Sequence, residues 1–103
     1  MKFTKIIAKQ IMNEFKNIGI RTKLIGSIRT KGFSLNDIDL VLLDYPIIDD
    51  KLILKIQTQF IAKSYAITNW GGILIETHSR EKIDLFPNSF MKKCYHCKKE
   101  CCY

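Results

Sequence analysis

The chain has 103 residues, 47% of them hydrophobic, and carries 17 Lys+Arg against 10 Asp+Glu for a formal net charge of +7. That length holds one small domain, the hydrophobic fraction excludes a disordered tail, and no apolar run approaches the roughly 20 residues that cross a bilayer. The N-terminal stretch from Met1 to Phe15 is charged throughout and unlike a signal peptide, so the expected compartment is the cytosol or an equivalent reducing one. The positive balance suits a polyanionic partner such as nucleic acid, because each phosphate contact releases counterions. It equally describes an ordinary solubilising surface. The basic residues are scattered except for Lys92, Lys93, Lys98 and Lys99.

In chain order, Ile6, Ile7, Ile11 and Phe15 recur at helical spacing and predict an amphipathic helix over 3–17, stopped by Asn17 and Gly19. Residues 22–25 form a short β-rich run that ends in a turn at Gly26-Ser27. Residues 28–36 contain Gly32, Ser34 and Asn36 and read as a turn, or a short helical turn plus loop. The run from Asp37 to Leu43 predicts a strand that begins by alternation and ends fully buried, broken by Asp44-Tyr45-Pro46. Asp49 or Asp50 can cap a second helix to about residue 62, with Leu52, Ile53, Ile56 and Phe60 on one side. Strands follow over 65–68, 73–77 and 82–86, with turns at Asn69-Trp70-Gly71-Gly72 and Ser79-Arg80. The fold class is α+β: a two-layer arrangement of helices on one face of a small mixed sheet.

The chemistry concentrates in Asp37-Ile38-Asp39. Alternation along a strand puts both carboxylates on one face and turns Ile38 and Leu40 to the other. Like charges side by side are unfavourable unless something neutralises them, and a divalent cation does so. Asp84 is the central residue of the apolar strand Lys82-Ile83-Asp84-Leu85-Phe86. If that strand pairs near the first, three carboxylates converge, enough for two Mg²⁺ or Mn²⁺ ions roughly 3.5–4 Å apart, the arrangement of in-line nucleotidyl transfer. Gly26 lets a phosphate approach the backbone, and the following helical turn offers amides to anions. Ser27 and Arg29 add side-chain donors. Alone, an Asp-x-Asp is more often a solvated edge, and a Gly-Ser means little. The informative pattern is the joint one: strand, Gly-Ser, nine residues, Asp-Ile-Asp, strand, then a second strand with a central Asp.

Leu24-Ile25-Gly26-Ser27-Ile28-Arg29 followed by Asn36-Asp37-Ile38-Asp39-Leu40-Val41 resembles the signature of the polymerase beta-like nucleotidyltransferases. The resemblance covers about residues 4–90 and is closest to small viral and phage-type palm domains of the family X DNA polymerases. It implies a nucleotidyltransferase palm over 1–90 followed by a basic Cys-rich tail over 91–103. It implies that Asp37 and Asp39 ligate both metals, and that Asp84 ligates the catalytic one near the attacking 3′-hydroxyl. Gly26, Ser27 and Arg29 would contact the triphosphate of an NTP or dNTP. DNA-polymerising relatives often carry a second Arg where this chain has Thr30. Lys31 could substitute, though as a point charge and not a planar fork. The thumb and N-terminal DNA-binding domain of those polymerases do not fit within the 103 residues.

All four cysteines lie in the tail, at Cys94, Cys97, Cys101 and Cys102, with His96 between them. Cys94-x2-Cys97 is half of a zinc knuckle, and Cys101 with His96, Cys102 or His78 would complete four ligands for Zn²⁺. The competing reading is a basic tail with free thiols. Trp70 fits a nucleotide pocket or, more simply, the edge of the core. His78 and Arg80 fit a phosphate contact or an exposed turn. Three functions therefore compete: transfer of a nucleoside monophosphate to a nucleic-acid hydroxyl, transfer to a protein acceptor or partner in the manner of antitoxin-type relatives acting from ATP, and a non-catalytic nucleic-acid-binding or partner-binding module. Three retained Asp argue against the last, because clustered carboxylates without a metal cost stability.

Overall fold

The computed structural model describes residues 2–69 and 71–90, so Trp70 and the zinc ligands expected at Cys94, His96, Cys97 and Cys101 lie outside the described residues. The elements are β1 (Phe3–Thr4), α1 (Lys5–Asn17), β2 (Thr22–Ile25), α2 (Gly26–Lys31), β3 (Phe33–Ser34), β4 (Ile38–Leu42), α3 (Asp50–Gln59), β5 (Ser64–Ile67), β6 (Ile73–Glu76) and β7 (Lys82–Pro87), closed by a single 3₁₀ turn at Asn88–Phe90. Five strands form one mixed sheet in the order β2-β4-β7-β6-β5, and β1 and β3 form a separate two-stranded clip. No described helix is long and apolar enough to cross a membrane.

Both long helices start where side-chain oxygens can cap them. Thr4 accepts from the Ile7 amide and Asp49 from the Leu52 amide, the latter at 2.9 Å. The apolar stripe of α1 (Ala8, Ile11, Phe15) and that of α3 (Leu52, Ile56) bury against Ile38, Leu40, Leu42, Ile73, Ile75, Ile83 and Leu85. Every one of those strand residues lies on the same face of the sheet, two positions apart along its strand. The helices thus cover one face and leave the other to Asp39, Val41, Asp84 and Phe86. Phe15 and Phe60 stack at 4.3 Å between ring centroids, 4° from parallel, and tie the end of α1 to the end of α3.

Several boundaries differ from the sequence reading for physical reasons. The first helix starts at Lys5 and not at residue 3, because Phe3 and Thr4 pair with Ser34 and Phe33. Gly26-Ser27 is the first turn of α2 and not a turn outside any helix. α3 ends at Gln59, and Phe60 leaves it in extended conformation to bury its ring. The β1–β3 clip has no counterpart among the predicted elements, because two-residue strands carry no periodicity.

The central pair, β4 and β7, is parallel, with Asp39 opposite Asp84. The ends of these strands are tied directly: Asn88 donates its amide to the Tyr45 carbonyl at 2.8 Å and its side chain to the Leu43 carbonyl at 2.9 Å. On the other side of β4, the Leu43 amide donates to the Arg21 carbonyl, and Arg21 forks onto Asp44 through two bonds of 2.9 and 2.5 Å. A slip by one residue would turn Asp39 into the helix layer and Leu40 to solvent. Phe15 is fully buried, so Phe15→Ala is expected to cost about 3–5 kcal/mol in denaturant unfolding followed by circular dichroism, with little change in the position of the Asp residues.

Candidate metal centre

Asp37, Asp39 and Asp84 each offer a carboxylate oxygen, and these oxygens all lie within 4.8 Å of one another. The parallel ladder brings the last two together, and Asp37 reaches the same face one residue ahead of β4. All three are half-buried. Burial pushes the Asp39 carboxyl up to about 6, with the charge of Asp37 adding to it and a hydrogen bond from Asp84 pulling back. Burial likewise pushes Asp84 up to about 8, helped first by Asp37 and then by Asp39. Both shifts have one cause: three carboxylates crowded in a half-buried site resist full ionisation, so the cluster holds protons above the ordinary carboxyl range.

The donor set fits a hard divalent cation. Octahedral Mg²⁺ holds its oxygens at about 2.0–2.1 Å, so adjacent and opposite ligands on one ion stand about 3 and 4 Å apart. Three carboxylate oxygens within 4.8 Å match one ion or a bridged pair. Loading such an ion displaces the protons that the crowded carboxylates retain, so affinity is expected to climb with pH.

The Gly26-Ser27 motif abuts this centre. Gly26 has φ +76, and a Cβ there would collide with Asp39 Oδ2 and stand 3.0 Å from its Cγ. The first turn of α2 therefore packs directly on the Asp39 side chain, which only glycine permits. Ser27 and Lys31, one turn apart, line a groove of about 190 Å³ with Phe33, Ser34, Leu35 and Asn36. Arg29 is half-buried and two residues from each, on the opposite side of the helical turn. Thr30 directs its hydroxyl back to the carbonyls of Gly26 and Ser27 at 3.2 and 3.4 Å, which occupies it within the helix. His78 and Arg80 are exposed on the β6–β7 hairpin, where Arg80 adopts φ 69. The hairpin turns at the end of the sheet from which Asp37 enters β4.

Sequence reasoning passed over Ser34. This residue is 7% exposed, and its hydroxyl accepts the backbone amides of Asn36 at 3.2 Å and Asp37 at 3.3 Å. The available signal was a Ser three residues before an Asp, a pattern of local side-chain capping. No protein-family model matches this chain, and no curated protein matches it.

Two measurements follow from this geometry. Above the ordinary carboxyl value of 3.8, the unfolded chain has lost protons that folded Asp39 and Asp84 retain. Stability of the metal-free protein is therefore greatest at acid pH with respect to these groups, and falls as pH rises through about 6 and then about 8. Asp84→Asn is expected to raise metal-free stability by about 1–3 kcal/mol at slightly alkaline pH and by much less near pH 4, read from thermal melts across pH. Gly26→Ala is expected to cost about 1–2 kcal/mol from its left-handed backbone alone. It also forces Asp39 aside, so calorimetric titration with Mn²⁺ should show binding weakened by about tenfold or more.

Proposed function

We propose that this protein is a metal-dependent nucleotidyltransferase that moves a nucleoside monophosphate from an NTP or dNTP to a hydroxyl acceptor, a nucleic-acid 3′-hydroxyl. The observation that carries the reading is the convergence of Asp37, Asp39 and Asp84 within 4.8 Å on the face of the sheet opposite α1 and α3, directly against Gly26 at the start of α2. A metal cluster alone would fit many roles. An acidic cluster packed against a short helix whose Ser27 and Lys31 line a groove fits a site for a metal-bound phosphate chain.

In the reaction the acceptor oxygen bonds to the α-phosphorus of the nucleotide, the bond from that phosphorus to the bridging oxygen breaks, and pyrophosphate leaves. Two divalent cations, Mg²⁺ or Mn²⁺, would supply activation of the attacking hydroxyl and neutralisation of the leaving group when bound. Asp37 and Asp39 would hold both, and Asp84 would hold the one nearer the acceptor. Ser27 donates its hydroxyl, and Lys31 its ammonium, to phosphate oxygens lying in the groove. Gly26, by lacking a Cβ, leaves free the space that the Asp39 carboxylate needs. The net charge of +7 favours approach of a polyanionic acceptor. The same reading places the protein in the cytosol, where nucleotides and Mg²⁺ are abundant.

Incubation with Mg²⁺ or Mn²⁺, labelled nucleotides and either primer-template DNA, RNA or protein acceptors tests this directly. Label should pass to a nucleic-acid 3′ end, and Asp39→Ala should lower the rate by at least about 10³-fold, the scale on which electrostatic groups at a reacting centre act. Label on protein alone would replace the nucleic-acid acceptor with a protein one. Absence of metal-dependent transfer to every acceptor would overturn the enzymatic reading and leave a binding module.

A further inference from the structure

Asp39 and Asp84 are carried on β4 and β7, and the ladder between those strands fixes both. Asp37 is not. It lies one residue before β4, outside any strand, yet the centre needs it placed as closely as the others. Its backbone amide donates to the Ser34 hydroxyl, which accepts the Asn36 amide as well. Ser34 is itself anchored. It is opposite Phe3 in the β1–β3 clip, and Phe3, 3% exposed, is part of the hydrophobic core. The chain of restraint thus runs from the core through Phe3 to β3, and from the Ser34 hydroxyl to the first carboxylate of the triad.

We propose that Ser34 is a positioning residue for the metal centre: its buried hydroxyl sets the backbone of Asp37 and, through it, the affinity of the site for divalent cation. The proposal rests on the metal-centre reading above. An exposed Ser hydroxyl at a turn would be one capping device among many. Burial changes its weight, because the hydroxyl is fixed by the packing around Ser34 and so holds the part-buried amides of Asn36 and Asp37 in one geometry that the loop loses without it. The loop that rearranges is the one that delivers Asp37. Outer groups that orient metal ligands commonly govern affinity by 10- to 100-fold.

The test compares full-length wild type with Ser34→Ala, Ser34→Cys and Ser34→Thr by two readouts. The first is hydrogen exchange of the Asn36 and Asp37 amides in metal-free protein, which needs neither ion nor nucleotide. The second is the Mn²⁺ dissociation constant by calorimetry. Ser34→Ala is expected to speed exchange at those two amides selectively and to weaken Mn²⁺ binding by about tenfold, while Ser34→Thr, which keeps the acceptor, restores both. Ser34→Cys keeps the size of the side chain and loses most of its acceptor strength, so it decides the matter if the Ala variant does not fold. Faster exchange with unchanged Mn²⁺ affinity would show a loop support only and overturn the proposal, as would unchanged exchange. If wild type itself bound no Mn²⁺, the metal-centre reading would fall and this proposal with it. Binding by wild type that the Ala and Cys variants leave intact would remove this proposal alone.

Discussion

The parallel pairing of β4 with β7 is the constraint on which the rest of this molecule turns. It sets Asp39 opposite Asp84 at the middle of the sheet, where neighbouring strands are roughly 4.8 Å apart and side chains on one face cannot avoid each other. Nothing about two aspartates favours that register. What enforces it is the opposite face, where Ile38, Leu40 and Leu42 of β4 and Ile83 and Leu85 of β7 are fully buried under the helices. Their burial contributes on the order of 1.5–3 kcal/mol for each side chain. Together they far outweigh the cost of crowding the carboxylates, a cost expressed in the upward shifts of Asp39 and Asp84. The apolar layer thus does the work of assembling a charged centre.

That division of labour explains the asymmetry of the sheet. One face is sealed by α1 and α3, joined through the stacked rings of Phe15 and Phe60. The other carries the acidic centre, with Val41 and Phe86 beside it as paired neighbours. The short helix α2 meets the acidic cluster end-on, and Gly26 is the residue through which the Gly-Ser motif and that cluster touch. A glycine there answers two demands at once, a left-handed backbone and room for Asp39. The β1–β3 clip completes the surround by anchoring the segment between Gly26 and Asp37, alongside Ile28 of α2, which is buried in the core.

The Asp-Ile-Asp spacing, the central Asp of the last strand and the Gly-Ser ahead of them were legible in the chain because each depends on local rules: period-two alternation, turn chemistry and the affinity of paired carboxylates for metal. The helix stripes of α1 and α3 were legible for the same reason, since Ile11, Phe15, Leu52 and Ile56 repeat at helical intervals. The β1–β3 clip and the role of Ser34 were not. Two-residue strands have no period to read, and a serine in a polar loop looks the same whether its hydroxyl faces water or two backbone amides of the next loop.

The sequence by itself therefore determined the two-layer α+β class, the face on which Asp37 and Asp39 project, and the residues that could serve a metal and a phosphate. Only the tertiary structure decided that β7 runs parallel beside β4 with Asp84 level with Asp39, that Gly26 packs on Asp39, and that Ser34 holds the approach to Asp37. The reason is range. Alternation and capping act over a few residues, whereas strand order and register are settled by long-range burial, which joins positions as far apart in the chain as Leu40 and Leu85.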